Sequence, residues 1–303
     1  MQKIAVCIPT YKRPQLLLKT INSVCNNNIS GSNIGRVDII VVDNDAERTG
    51  ENSVKGFDDT ISPAFHIHYY NYSKKGLANV RNELLEKAIG LSPEFIIFID
   101  DDEYASPEWL KELVETASDN NADMAVGPVH SVFEKPVPDY ISYWFRKSGS
   151  ASTVPIDTIA SNNLIIRTDF LLRSKLRFDQ RFNTTGAEDT YFGIEARQAG
   201  AKIFSANNAL VYETVPDARA RLEWLIKRRY RGAITFTYIL ILEKQYLKLL
   251  KKALISMGYL AAGTLGLVLL PFNVKTKYWG ILTIVEGYGG LAGLFNVKYH
   301  EYK

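Results

Sequence analysis

Four consecutive acids, Asp100-Asp101-Asp102-Glu103, follow directly on the apolar run FIIFI at 95–99. Adjacent like charges repel and resist burial, so an acidic run is ordinarily a solvated face. Its position argues otherwise. The apolar run has the length of a buried strand, and Ser106-Pro107-Glu108 reads as the cap and first turn of a helix. The acids therefore stand at the carboxyl end of a strand, where open α/β sheets bind ligands. Asp43 closes VDIIVV at 37–42, and Glu188-Asp189 opens the helical stretch in GAEDTYFGIEARQAG at 186–200. Crowded carboxylates tolerate one another when a hard divalent cation neutralises them, and Mg²⁺ usually completes its shell with substrate phosphates. Lys74-Lys75-Gly76 and then Arg81 put positive charge and a glycine turn ahead of a helix, suited to the same phosphates. Simpler readings stand beside these. Asp43-Asn44-Asp45 could be turn chemistry, Arg81 a surface helix charge, and Glu188-Asp189 a favourable helix start, an effect of roughly 0.3–1 kcal/mol each.

The elements that must position these groups alternate. KIAVCI at 3–8 reads as a buried strand, 13–28 as a helix, 37–42 as a strand and 66–70 as a short strand. A helix follows over 76–89, then the 95–99 strand, a helix over 107–120 and a strand over 123–129. Such alternation with short links predicts an α/β domain with a mostly parallel sheet. SNNLIIRTDFLL at 161–172 suggests a strand running into a short helix. Two short strands then close the domain by about residue 213.

The chain has 303 residues, 46% hydrophobic and 23% charged, which fits a globular protein. The net charge of +3 hides an asymmetry. Residues 1–216 hold 22 basic against 28 acidic side chains, and residues 217–303 hold 14 against 5. Cys7 and Cys25 are too few for a disulfide framework or a thiolate metal cage and read as reduced thiols. Met1 leads straight into a strand, so no leader peptide is expected and the body should stay in the cytosol. His66, His68, His130 and His300 show no ligand spacing.

The chain resembles the family 2 glycosyltransferases with the GT-A fold, a Rossmann-like nucleotide-sugar-binding domain. The resemblance rests on VCIPTYKRP (6–14), IIVVDND (39–45), KKGLANVRN (74–82), FIDDDE (98–103) and GAEDTYFGIEARQAG (186–200), in that order. With VYETVP and RLEWLIKRRYRG it is similar to bacterial exopolysaccharide enzymes of the succinoglycan type. The resemblance implies an inverting enzyme with a nucleotide-sugar donor, UDP-linked, and a divalent metal, Mg²⁺ or Mn²⁺. It implies that Thr10 and Asp43 hold the nucleotide base and that Arg81 reaches the nucleotide or diphosphate. Asp100 and Asp102 become the outer acids of a DxD motif. Asp102 ligates the metal, Asp100 lies nearer the ribose and metal, and Asp101 assists. Asp189 becomes the general base, with Glu188, Asn162 and Asn163 beside the sugar and acceptor. Many relatives carry a metal-ligating histidine after the last strand, where this chain reads VYE, so Glu213 is the substitute on offer. The Q-x-x-R-W of processive relatives is missing, which points to one sugar per acceptor.

Residues 217–252 read as a basic amphipathic helical region and 253–303 as a hydrophobic helical hairpin. Residues 253–274 contain no charge, and as a helix they would be about 33 Å long against a bilayer core of roughly 30 Å. Lys244, Lys248, Lys251 and Lys252 precede them, suited to an anionic cytoplasmic face of the cell membrane. Gly289-x-x-x-Gly293 favours close helix approach, whereas Glu286 would be costly in lipid. Lys275 and Lys277 also disfavour full crossing, so a hairpin dipping into the cytosolic leaflet competes with two spans and with a helical pair packed on the body. The expected partners are a nucleotide sugar, a saccharide or polyprenyl-linked acceptor and the membrane surface, with no nucleic acid. Two rival readings are a sugar nucleotidylyltransferase, which would need a G-x-G-x-R loop where PTYKRP stands, and a non-catalytic membrane-peripheral module with a structural cation in DDDE.

Overall fold

The computed structural model describes residues 1–55, 57, 62–145, 159–269, 272–297 and 299. They form two compact units. The first draws on described residues within 1–132, 147–183 and 188–214, the second on those within 133–146, 184–187 and 215–303. In chain order the elements are β1 (Gln2–Thr10), α1 (Pro14–Cys25), β2 (Ile34–Asp43), β3 (Phe65–Asn71), α2 (Leu77–Gly90), β4 (Phe95–Phe98) and β5 (Glu103–Ala105). Then come α3 (Trp109–Asp119), β6 (Met124–Val126), β7 (Val129–Phe133), α4 (Asp139–Ser142), β8 (Leu164–Arg167), α5 (Thr168–Ser174), α6 (Glu188–Gln198), β9 (Ile203–Ser205) and β10 (Val211–Val215). The helices α7 (Leu222–Leu242), α8 (Tyr246–Leu269) and α9 (Val274–Leu294) complete the chain.

The first unit is built on a seven-stranded sheet of order β3-β2-β1-β4-β8-β6-β9. β1 to β4 are parallel, and β8 runs antiparallel between β4 and β6. β1 is apolar on both faces because both are covered, as parallel strands require. Ile4, Val6 and Ile8 pack with Leu17 and Ile21 of α1 and Trp109 of α3, while Ala5 and Cys7 share a cluster with Leu84 of α2 and Phe192 of α6. The chain moves outward from β1 to β3, then returns to lay β4 on the other side of β1. That reversal is a topological switch point, and it opens a crevice at the carboxyl ends of β1 and β4. Register sets Thr10, Asp43 and Asn71 in one row along this edge. A smaller sheet, β5-β10-β7, begins at the last of the four acids.

Several local expectations shift. The strand expected over 123–129 is two, β6 in the large sheet and β7 in the small one, broken at Gly127-Pro128. The helix expected from Pro107 begins at Trp109, after a turn in which Trp109 N–H donates to the Ser106 carbonyl at 3.1 Å. Asn163 was expected beside the acceptor. Instead it is fully buried, with φ of +118°. Its amide donates to the Pro128 and Ala209 carbonyls at 3.0 and 2.8 Å, and its oxygen accepts the Trp109 indole N–H at 2.8 Å. Its polar capacity is spent holding α3 and the 127–128 and 209 turns, which leaves none for a sugar.

In the second unit α9 packs against both α7 and α8. Gly289 approaches the Tyr230 carbonyl and Ala233 so closely that a Cβ would lie 2.8 and 3.0 Å from them, and a Cβ on Gly293 would lie 2.7 Å from that of Thr237. The small-residue spacing therefore serves α7. Glu286, expected to burden the apolar tail, pairs with Arg229 of α7 at 2.8 Å, and that guanidinium also sits over the Trp144 ring. The unit also takes in a segment far upstream of residue 217. Ile141 and Phe145 join Val215, Leu225 and Leu282 in one apolar cluster, and Phe145 stacks on Trp224 at 5.6 Å. Helix α8 starts at Tyr246 and contains Lys248, Lys251 and Lys252, so one helix carries the end of the basic region and the start of the apolar stretch.

Replacing Asn163 by Leu leaves the Ala209 carbonyl and the Trp109 indole N–H without their side-chain partner, while the Pro128 carbonyl keeps the Val211 N–H. Each unpaired buried group costs about 1–3 kcal/mol, so N163L should show a clearly lower denaturation midpoint by circular dichroism.

Candidate active site

Four acids meet at the turn after β4, and each is held differently. Glu103 is 1% exposed; its carboxylate accepts the Asp100 N–H at 3.0 Å and the Asn162 amide at 2.7 Å. It closes the turn and fixes Asn162 beside it. Asp101 points inward, accepting Thr10 Oγ1 at 2.8 Å and Arg13 Nη1 at 3.2 Å. Its pKa is raised to about 6: burial pushes it up, Arg13 and Thr10 pull it down, and the charges of Asp102 and Asp100 push it up. Asp102 accepts the same Arg13 nitrogen at 3.0 Å, and its backbone carbonyl takes the Thr214 N–H at 2.9 Å. Asp100 is the most open of the four, its side chain 32% exposed.

Asp43 closes β2 with a fully buried carboxylate. It accepts the Asp45 and Gly50 backbone N–H groups at 2.9 and 2.8 Å and the Tyr69 hydroxyl at 2.9 Å. The Tyr69 hydroxyl is pushed well above its usual range by burial and by this carboxylate. Both oxygens of Asp43 thus organise the loop after β2.

Arg81 was expected to face a diphosphate, yet its side chain is only 4% exposed. It bridges two acids from distant parts of the chain: Nη1 pairs with Glu188 of α6 and Nη2 lies 3.3 Å from Asp100. Burial pushes the Glu188 carboxyl up, Arg81 pulls it down, and Asp189 pushes it up. Glu188 Oε2 is buried and has no hydrogen-bond partner among the described residues. Glu188 was expected near the acceptor, but this pairing makes it the fixed end of a strut. The strut ties the start of α6 to the acid turn, and the next residue along α6 is Asp189. Its Oδ1 accepts the Thr190 N–H at 2.6 Å, and Oδ2 takes no bond among the described residues.

The structure thus joins Thr10 to Asp101, Asn162 to Glu103, and Arg81 to both Asp100 and Glu188, and removes Asn163 to the interior. Arg13 was missed: nothing in PTYKRP distinguishes it until Asp101 and Asp102 are folded against it. Glu213 of β10 pairs with Glu103 of β5 in the small sheet. Among the described residues no three His, Cys, Asp or Glu side chains converge as a metal-ligating group. Asp100 and Asp102 still offer hard oxygen donors, and a two-carboxylate set suits an ion that takes its other ligands from phosphate and water.

Comparison with known proteins follows the same lines. The model of Glycosyl transferase family 2 matches residues 5–187. The chain is 34% identical over 238 residues to the succinoglycan biosynthesis protein ExoM of Rhizobium meliloti (strain 1021), covering 77% of this chain and 72% of that one. It is 27% identical over 206 residues to the poly(ribitol-phosphate) beta-N-acetylglucosaminyltransferase TarP of Staphylococcus aureus (strain N315), covering 64% of this chain and 57% of TarP. In fold it is similar to S. aureus TarS 1-349 in complex with UDP-GlcNAc, with a TM-score of 0.57, 19% identity, and coverage of 79% and 66% of the two chains. On the family match over residues 5–187 and the 34% identity to the succinoglycan biosynthesis protein, this chain belongs to glycosyltransferase family 2, and it has the GT-A fold.

Proposed function

We propose that this chain transfers a single sugar from a UDP-linked donor to a saccharide or polyprenyl-linked acceptor in surface or exopolysaccharide assembly, with inversion at the anomeric carbon. The observation that carries the reading is the Glu188–Arg81–Asp100 strut, which fixes the start of α6, and with it Asp189, to the acid turn at the switch point. The succinoglycan relative and a neighbour solved with UDP-GlcNAc favour this donor class and pathway type.

In this reading Thr10 and Asp43 border the nucleotide base, with Asp43 setting the loop against which the base rests. Asp100 and Asp102 would hold a divalent ion, Mg²⁺ or Mn²⁺, with Asp101 anchoring the turn through Thr10 and Arg13. Such an ion supplies Lewis-acid charge to the departing diphosphate. Asn162, held by Glu103, borders the acceptor. The acceptor oxygen attacks the anomeric carbon as the bond to the diphosphate oxygen breaks. The hydroxyl proton passes to Asp189 Oδ2, and a nucleoside diphosphate leaves. Arg81 keeps Asp100 and α6 in register and offsets their charge. The basic, apolar C-terminal helices favour a position at the cytoplasmic face of the cell membrane, where a polyprenyl-linked acceptor would be met.

Asp102→Asn removes one charge that holds the ion. Mn²⁺ titration should show weakened ion-dependent UDP binding together with lower turnover, and full activity of the variant in chelator would remove the metal from this reading. Asp189→Asn keeps size and shape but cannot accept the proton. Its kcat should fall by about 10²–10⁴, the usual effect of losing a general base, with UDP affinity by calorimetry within a few-fold of the parent. Equal loss of both would place Asp189 among the donor-binding groups instead.

A further inference from the structure

Three observations on the second unit bear on how it would meet lipid. First, α8 is the one described helix long and apolar enough to cross a membrane, with mean hydropathy 1.5 over its most apolar window and only 11% of that window buried. Its residues 253–269 carry no charge. The side turned to the protein is a narrow seam with Ser256 and Gly263 at its centre, against α9. Around the rest, Leu250, Leu254, Met257, Leu265, Val268 and Leu269 are each 50–69% exposed. A helix apolar all round, with its covered stripe already occupied by protein, has no side suited to water.

Second, the basic side chains lie at the two ends of this surface. Lys244, Lys248 and Lys251 stand exposed at one end, and Lys275 and Lys277 stand exposed past the turn at the other, with Phe272 98% exposed between α8 and α9. Cations at both ends of an apolar rod match anionic headgroups at both ends.

Third, the neighbouring helices fix the depth. A Cβ on Gly287 would touch the Ser256 carbonyl and the Leu260 N–H, so the middle of α8 lies level with Glu286 and its partner Arg229. That ion pair is 27–38% exposed, and Lys227 and Arg228 on the adjoining turn of α7 face solvent. One turn toward the start of α9, Leu282 is buried with Ile141, Phe145 and Val215. Were α8 to cross the bilayer, these charges and this segment would be carried to mid-membrane depth, where charged groups are strongly disfavoured.

We propose that α8 lies lengthwise in one anionic leaflet, sunk to about its own width at the boundary of headgroups and acyl chains, with α9 as the layer behind it and both lysine clusters on the same side of the membrane. The protein is then monotopic, held by a single helix whose protein side is sealed by glycines of α9. This rests on the membrane part of the proposed function and is independent of its chemistry.

The test uses the full chain in a Cys25→Ser background, Cys7 being fully buried. Single variants Lys248→Cys and Lys275→Cys are added to sealed vesicles of phosphatidylcholine with about one quarter phosphatidylglycerol, then exposed to a membrane-impermeant maleimide. Both should label equally before and after the vesicles are ruptured. Leu254→Asp/Leu265→Asp should lower vesicle binding about tenfold or more while still binding UDP by calorimetry. Labelling of Lys275→Cys only after rupture would mean a span. Absent vesicle binding, or binding unchanged in the double aspartate variant, would remove lipid as the occupant. Dimers in light scattering that the double variant dissociates would assign the surface to a second copy. Loss of UDP binding in every form, with the vesicle results intact, would count against the donor reading alone.

Discussion

Negative charge gathered at one edge of a parallel sheet must be offset, and how this chain offsets it orders the body around it. Asp100, Asp101, Asp102 and Glu188 are brought together by folding, and two arginines stand among them. Arg81 is buried between Asp100 and Glu188; Arg13 touches Asp101 and Asp102 from a more open position. A buried arginine between carboxylates is weak evidence for stability, because desolvation works against the Coulombic attraction. Its value here is geometric. It permits one arrangement of the acid turn relative to α6, and any other leaves a buried charge alone.

The remaining acids are restrained by neutral donors. Asp43 takes two backbone N–H groups and a tyrosine hydroxyl, and Glu103 takes a backbone N–H and the Asn162 amide. The edge therefore grades from acids consumed by structure, Asp43 and Glu103, to Asp100, whose side chain is 32% exposed.

The second unit solves a related problem differently. Glu286 interrupts an apolar helix, which would be unfavourable for a helix surrounded by lipid. Arg229 meets it from α7, and small residues on α9 bring the two helices close enough for the pair to form. Charge and close packing thus place α9 in the protein layer and leave α8 to present the apolar surface.

Much of this was legible in the sequence, because local periodicity and punctuation report strands, helices and what stands at their ends. The alternation to residue 129, the carboxyl-edge position of Asp43 and Asp100–Asp102, the family and the apolar character of the tail could all be read that way. Long-range pairing could not. Arg81 and Glu188 are 107 residues apart, and Arg229 and Glu286 are 57 apart, so nothing local marks them as partners. The same holds for Asn163, which the resemblance puts beside the acceptor and on whose side chain three distant groups close. Residue type and spacing determined which chemistry was available and at which edge; only tertiary contact decided which acids were spent on structure and which apolar helix was left uncovered. The physical reason is that burial and charge neutralisation depend on neighbours in space, which a linear pattern does not specify.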